Sequence, residues 1–155
     1  LAYAAAMAEE IPRSERFRLL PGVLQLLEVL QQRGLALLGL ATGNFESTAG
    51  HKLRHAKLDQ FFSFGGYGSD HAERPELTRV AVERGLQRLG RRVEPEEILL
   101  VGDTVHDIDS GRKLGLTTVA VATGSTTRAA LEAARADFVV DSFGCLEEIL
   151  PIFEG

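Results

Sequence analysis

Asp103 and Asp107 stand four residues apart, directly after the apolar run Ile98-Leu99-Leu100-Val101-Gly102. Two carboxylates one helical turn apart repel each other, so a fold that presents both keeps a cation beside them. Oxygen ligands of this kind suit Mg²⁺, which keeps several waters and accepts one or two carboxylates together with phosphate oxygens. The simpler alternative makes Asp103 a helix N-cap and Asp107 a first-turn carboxylate favoured by the helix dipole. Thr42-Gly43-Asn44 closes a second apolar run, Leu35-Ala36-Leu37-Leu38-Gly39-Leu40-Ala41. A hydroxyl, a glycine amide that a ligand can approach and a short amide side chain at a helix start together form an anion site. Here too a plain helix cap by Thr42 or Asn44 competes. The third stretch is Arg74-Pro75, again at a helix start. An arginine there reaches over neighbouring strand ends and neutralises a phosphate, or else lies solvated.

Three further patterns carry less. His51 and His55 have the spacing of a zinc pair, but no third ligand is near in sequence and the segment is otherwise polar, which is a solvated helix face. Asp107-Ile108-Asp109 has the spacing of an aspartyl-phosphate loop, yet its strand already ends at Asp103. Gly65-Gly66-Tyr67-Gly68 lacks the full glycine spacing of a dinucleotide loop, and no helix opens on its third glycine.

These groups need elements that bring them together. Pro21 is expected to open a helix with Val23, Leu26, Leu27 and Leu30 as its apolar stripe and Gly34 as its stop. Strands are expected at 35–41, 61–64, 97–103, 117–121 and 138–140, with helices from Asn44 to about Lys57, from Pro75, from Ile108 to Leu114, and over 126–135 and 143–152. Alternating strands and helices with short connections imply an α/β fold with a doubly wound parallel sheet. In such a sheet ligands sit beyond the carboxyl ends of the strands. Hydroxyl, arginine and paired carboxylates would then converge on one crevice and hold what phosphoryl transfer needs: donors for oxygens, a fixed cation and a metal.

Composition bounds the partners. A chain of 155 residues is one domain by length. Seventeen basic against 22 acidic residues leave a net charge of −5, which argues against nucleic acid and anionic membranes. No apolar run approaches the roughly 18 residues of a membrane span, and the start Leu-Ala-Tyr-Ala-Ala-Ala has no basic residue before it, unlike a signal peptide. The single Cys145 excludes an internal disulfide and suits a reducing compartment, hence a cytoplasmic location. Because the first residue is Leu1 and not Met, the chain is expected to be a piece of something longer.

The sequence resembles the haloacid dehalogenase superfamily of phosphohydrolases, in particular its phosphoglycolate-phosphatase-like branch. Leu38-Gly39-Leu40-Ala41-Thr42-Gly43-Asn44 is similar to the family's second motif, Arg74-Pro75 to its third, and Val101-Gly102-Asp103-Thr104-Val105-His106-Asp107 to its acidic fourth. The segment Ile108 to Gly115 and the tail Ala136-Asp137-Phe138-Val139-Val140-Asp141-Ser142 fit that branch as well. The resemblance covers roughly 17–155 and implies an Mg²⁺-dependent phosphatase acting on a small phosphorylated metabolite. By it, Thr42, Gly43 and Asn44 bind the phosphoryl group, Arg74 offsets its charge, Asp103 ligates Mg²⁺, and Asp107 ligates the ion or orients its waters. The family's first motif, an apolar strand ending in Asp-x-Asp, is missing: residues 1–34 contain no Asp. The aspartate that becomes the aspartyl phosphate is therefore expected outside this chain, and the segment alone is expected to be inactive. By family topology the absent strand lies between those ending at Thr42 and Asp103. Residues 1–16 then read as the end of a helical cap and its return linker, and residues 17–155 as a core short of one strand. An upstream segment or a second chain would have to complete the sheet, or the flanking strands close up, and the chain alone is not expected to be a stable monomer. A non-catalytic phosphate- or partner-binding module on the same fold is the alternative from another class. A dehalogenase or phosphomutase on this scaffold is a third option, though the acidic pair points to metal and so to phosphoryl chemistry.

Overall fold

The computed structural model describes the backbone of residues 2–5 and the whole of residues 19–155. The first helix, α1 (Val23–Arg33), buries Val23, Leu26, Leu27 and Leu30 and ends at Gly34, whose φ of 61° is the left-handed conformation a helix stop requires. It starts at Val23, two residues after the expected opening at Pro21, with Gly22 as N-cap at φ 86°, where a side chain would meet the backbone of Gly144 at 2.2 Å. Five strands are β2 (Ala36–Thr42), β3 (Gly65–Tyr67), β4 (Ile98–Gly102), β5 (Thr117–Val121) and β6 (Phe138–Val140). Between them lie α2 (Glu46–His55), α3 (Arg74–Leu89), α4 (Val105–Leu114) and α5 (Arg128–Ala133), and α6 (Leu146–Glu154) closes the chain.

The sixth strand, β1 (Ala2–Ala5), corrects the sequence reading. Among the described residues the sheet is six-stranded and parallel throughout, in the order β3-β2-β1-β4-β5-β6. Residues 2–5 are therefore not the end of a cap helix; they lie in the gap between the strands ending at Thr42 and Asp103. Ala4 pairs with Leu38 on one side and Leu99 on the other. The reason is main-chain chemistry. An empty gap would leave two rows of buried backbone groups unpaired, at about 1–3 kcal/mol each. Ladder hydrogen bonds need no particular side chain, so tertiary demand overrides the helix preference of alanine. The three expected ways of dealing with the gap, an upstream segment, a second chain or closure of the flanking strands, did not include a strand from residues 2–5. The remainder of the cap reading, residues 6–16, lies outside the described residues.

Side-chain alternation on the strands gives the sheet two covered faces. Leu38, Leu99, Val101, Val119 and Val121 pack with the α1 stripe, Leu53 of α2 and Ile149 and Phe153 of α6. Ala41, Ile98 and Leu100 pack with Leu77 and Ala81 of α3, and Ala120 with Ile108 of α4 and Leu131 of α5. The doubly wound arrangement is thus present.

One strand is displaced from its expected place. The apolar stretch 61–64 was expected to be a strand emptying into a glycine loop; instead Asp59–Phe61 is a 3₁₀ turn and the glycines are β3 itself. A side chain on Gly66 would stand 1.8 Å from the carbonyl oxygen of Leu77, so only glycine lets this strand lie against the α3 backbone. Among the described residues no helix is long and apolar enough to cross a membrane.

Candidate active site

Because the strands are parallel, their carboxyl ends share one edge, and the strand order reverses at β1, where a ligand crevice is expected. Register puts two of the candidate residues level. Ala5 pairs with Gly39 of β2 and with Leu100 of β4, and Thr42 and Asp103 each lie three residues further along. They stand at the same height on either side of β1, two strand spacings or about 10 Å apart.

Neither is spent on capping its helix. The N-cap of α2 is Phe45, and that of α4 is Thr104. Thr42 is buried, and its Oγ1 accepts from the Asn44 backbone N–H at 3.2 Å and from Asn44 Nδ2 at 3.0 Å. Lys52 Nζ donates to Asn44 Oδ1 at 3.1 Å. The Asn44 N–H, expected to face a ligand, thus turns inward to Thr42, while Gly43 is exposed with open space where its Cβ would be. The loop after β3 braces this turn. Gly68 donates to the Asn44 carbonyl at 2.9 Å, and a side chain at Gly68 would lie 2.1 Å from the Gly43 oxygen. Arg84 ties the base of that loop, donating to Asp70 Oδ1 at 2.7 Å and to the Gly65 carbonyl at 2.7 Å. Hydrogen bonding to Arg84 holds the Asp70 carboxyl below its ordinary value, and burial pushes the neighbouring Tyr67 hydroxyl up.

On the other side of β1, Thr104 and Asp107 form a reciprocal cap. Asp107 N–H donates to Thr104 Oγ1 at 3.3 Å, and Asp107 Oδ2 accepts from the Thr104 N–H at 3.2 Å and hydroxyl at 2.8 Å. Asp107 Oδ1 accepts from Arg74 Nη2 at 2.7 Å and Nε at 3.0 Å. The Asp107 side chain is 3% exposed and that of Arg74 26%. An ionised carboxylate offers about four acceptor positions, and here all four are taken. Asp107 is expected to ligate an ion or orient its waters; in this arrangement its acceptor positions are occupied, and it fixes Arg74 and the start of α4. Gly102 makes this fit, since a side chain there would meet Asp107 Cγ at 2.4 Å.

Asp103 is half-buried at the end of β4, and its Oδ2 would lie 2.1 Å from a Cβ at Gly124 in the loop after β5. That loop also holds the Thr123 hydroxyl, which is buried and has no hydrogen-bond partner among the described residues. As a hard oxygen donor level with Thr42 on the other side of β1, Asp103 fits Mg²⁺, which needs no more than one or two protein carboxylates. No group of three His, Cys, Asp or Glu side chains suited to a metal exists among the described residues. His51 and His55 are exposed, and His51 Nδ1 lies 3.3 Å from Arg54 Nη2.

Sequence reasoning did not single out Thr104, Gly124 or Lys52. The first was legible in Thr104-x-x-Asp107, a capping-box spacing. The second had a signal too: Ala-Thr-Gly recurs at 122–124, just after β5, as it stands at 41–43 at the end of β2. Lys52 had none, because its reach back to Asn44 depends on side-chain direction.

The sequence pattern of the family described as haloacid dehalogenase-like hydrolase matches residues 2–115. Pyrophosphatase PpaX of Bacillus cereus (strain AH820) is 34% identical over 130 residues, which are 84% of this chain and 57% of that protein. The same enzyme of Bacillus mycoides (strain KBAB4) is also 34% identical, with the same coverage. Among solved structures, a hydrolase from Pseudomonas syringae superposes with a TM-score of 0.69 at 26% identity, over 86% of this chain and 59% of that one. A haloacid dehalogenase-like family protein from Streptococcus pneumoniae gives 0.70 at 23% identity, over 86% and 59%; this second likeness speaks to the fold alone. The chain spans little more than half the length of the curated relatives it matches.

Proposed function

The chain belongs to the haloacid dehalogenase-like hydrolases, and on that premise we propose that it is the phosphoryl- and metal-binding part of an Mg²⁺-dependent phosphatase acting on a small phosphorylated metabolite. The observation that carries this reading is the level pairing of Thr42 and Asp103 across β1, with Arg74 held to the same edge by Asp107. The Thr42 hydroxyl and the Gly43 N–H donate to the phosphoryl oxygens, and Asn44 orients the hydroxyl. Arg74 offers the guanidinium edge not used on Asp107, adding a fixed positive charge that costs no reorganisation as charge develops. Asp103 holds Mg²⁺; when bound, the ion offsets charge on the phosphoryl oxygens.

No residue of Ala2–Ala5, the strand between these groups, is a carboxylate. We therefore assign the nucleophilic aspartate, the one that takes the phosphoryl group, to a segment outside these 155 residues, and this stretch by itself to an inactive state. In the complete protein that segment and β1 claim one place in the sheet. We also propose a cytoplasmic location, supported by the single Cys145, which suits a reducing compartment. Relatives named pyrophosphatase put inorganic pyrophosphate among the first substrates to try.

The test is a screen of phosphate monoesters and pyrophosphate with the complete protein, with Mg²⁺ and with the metal chelated. Metal-dependent release of phosphate from at least one compound is expected, with Asp103→Asn lowering it at least about 100-fold. Failure on every compound would leave the non-catalytic phosphate-binding module as the better account.

A further inference from the structure

An ammonium group only donates hydrogen bonds. With Lys52 Nζ 3.1 Å from Asn44 Oδ1, the Asn44 amide must turn its oxygen to Lys52 and its NH₂ the other way. There it meets Thr42 Oγ1 at 3.0 Å, and the Asn44 backbone N–H meets the same oxygen at 3.2 Å. The Thr42 oxygen accepts twice, so its own proton must point elsewhere. The turn is open to a ligand at Gly43. Lys52 lies in the last turn of α2, where the helix dipole favours an ammonium held at the carboxyl end. It reaches instead back along the helix, to a residue that precedes it.

We propose that Lys52 is a positioning residue: through Asn44 it sets the Thr42 hydroxyl as a donor, aimed at a phosphoryl oxygen. The inference rests on the phosphoryl-binding role proposed above for Thr42. Lys52 does not touch the substrate. Without its charge the amide is free to turn over, presenting Oδ1 to Thr42. The hydroxyl then donates to Asn44 and is lost to the phosphoryl group, although only the Asn44 amide has rotated in place.

Four variants of the complete protein separate this polarity from ordinary support. Lys52→Met lowers kcat and raises the inhibition constant of orthophosphate, each about ten-fold, the loss of one hydrogen bond to a charged group. Lys52→Glu forces the amide over and loses more than Lys52→Met. Lys52→Arg, which also only donates, recovers most of the loss. Asn44→Asp gives Lys52 an opposite charge and keeps or raises the thermal midpoint, yet loses turnover because a carboxylate takes the Thr42 proton. A merely structural Lys52 would shift thermal midpoints without producing the order Arg, Met, Glu. Wild-type kcat and orthophosphate inhibition in both Lys52→Met and Lys52→Glu overturn the proposal. If the wild-type protein hydrolyses nothing, the phosphatase reading fails separately, and the relay is judged by calorimetric titration with orthophosphate. Binding about ten-fold weaker in Lys52→Met then supports it; unchanged binding, or none to the wild type, overturns it.

Discussion

At the scale of single residues the site is built on carboxylates with different duties. Asp107 is surrounded by donors from Arg74 and Thr104, while Asp103 lies against Gly124. Replacing Asp107 by Asn removes a buried charge but leaves its guanidinium partner in place. Chemical unfolding should show a loss of about 1–3 kcal/mol, since the partly exposed Arg74 recovers some hydration. Arg74→Met and Asp107→Asn should be clearly non-additive in a double-mutant cycle, with a coupling of about 0.5–3 kcal/mol. Gly124→Ala is a sharper probe of Asp103, because the added methyl would have to displace the carboxylate. Turnover of the complete protein should then need several-fold more Mg²⁺ for half-saturation, with thermal stability nearly unchanged; an unaltered Mg²⁺ dependence would remove Asp103 from the metal site. Thr42, Asp103 and Asp107 could be picked out as candidates because apolar runs show where strands end, and strand ends are where ligands sit, whereas Arg74 had only an Arg-Pro helix start to mark it. Whether Asp107 binds an ion or an arginine was not legible, since spacing fixes a position and not the direction of a carboxylate.

At the scale of elements, each edge strand has an outward carbonyl covered by an arginine. Arg84 donates to Gly65 of β3, and Arg128 to Val139 of β6 at 3.2 Å. Both arginines are anchored by acids, Arg84 by Asp70 and Arg128 by Asp141 and Glu132. Blocking edge groups this way discourages pairing with another chain. The double variant Arg84→Ala/Arg128→Ala should sediment as larger species than the parent at equal concentration; an identical profile would show that the edges are harmless without them. The Asp70–Arg84 pair also carries a pH signature. Its hydrogen bond from Arg84 lowers the folded carboxyl below the ordinary 3.8. Between those values the unfolded chain binds more protons than the folded one, so the pair's contribution is complete above pH 3.8 and fades as pH falls through the lowered value. Being partly exposed, it is worth at most about 1 kcal/mol. The stability gap between the parent and Asp70→Asn should therefore be small at pH 7 and vanish in stronger acid. The order of elements was legible from α1 to α6, and the exact span of β5 and β6 with it. Strand β3 was not, because two adjacent glycines read as a loop until α3 is seen pressed against them.

At the scale of the whole molecule, the fold depends on what fills the place between β2 and β4. Nothing in an alanine-rich stretch announces a central strand. The requirement comes from the neighbours' unpaired backbone, which sequence periodicity does not display. If the nucleophile-bearing segment of the complete protein claims that place, the amides of Tyr3, Ala4 and Ala5 should exchange slowly with solvent in the 155-residue chain and rapidly in the longer protein. Slow exchange in both would mean that Ala2–Ala5 is the resident strand and the nucleophile arrives by another route. The phosphatase reading requires Thr42 and Asp103, level on either side of that strand, to come within reach of one ion and its anion. The most direct measurement is an amide NMR titration of the complete protein with Mn²⁺, whose unpaired electrons broaden every signal near it. Broadening that begins at Thr104 and Gly124 and takes in Gly43 and Asn44 at the same metal concentration is the predicted result. Loss of signal around Asp103 with Gly43 and Asn44 untouched, or broadening centred on His51 and His55, would contradict it.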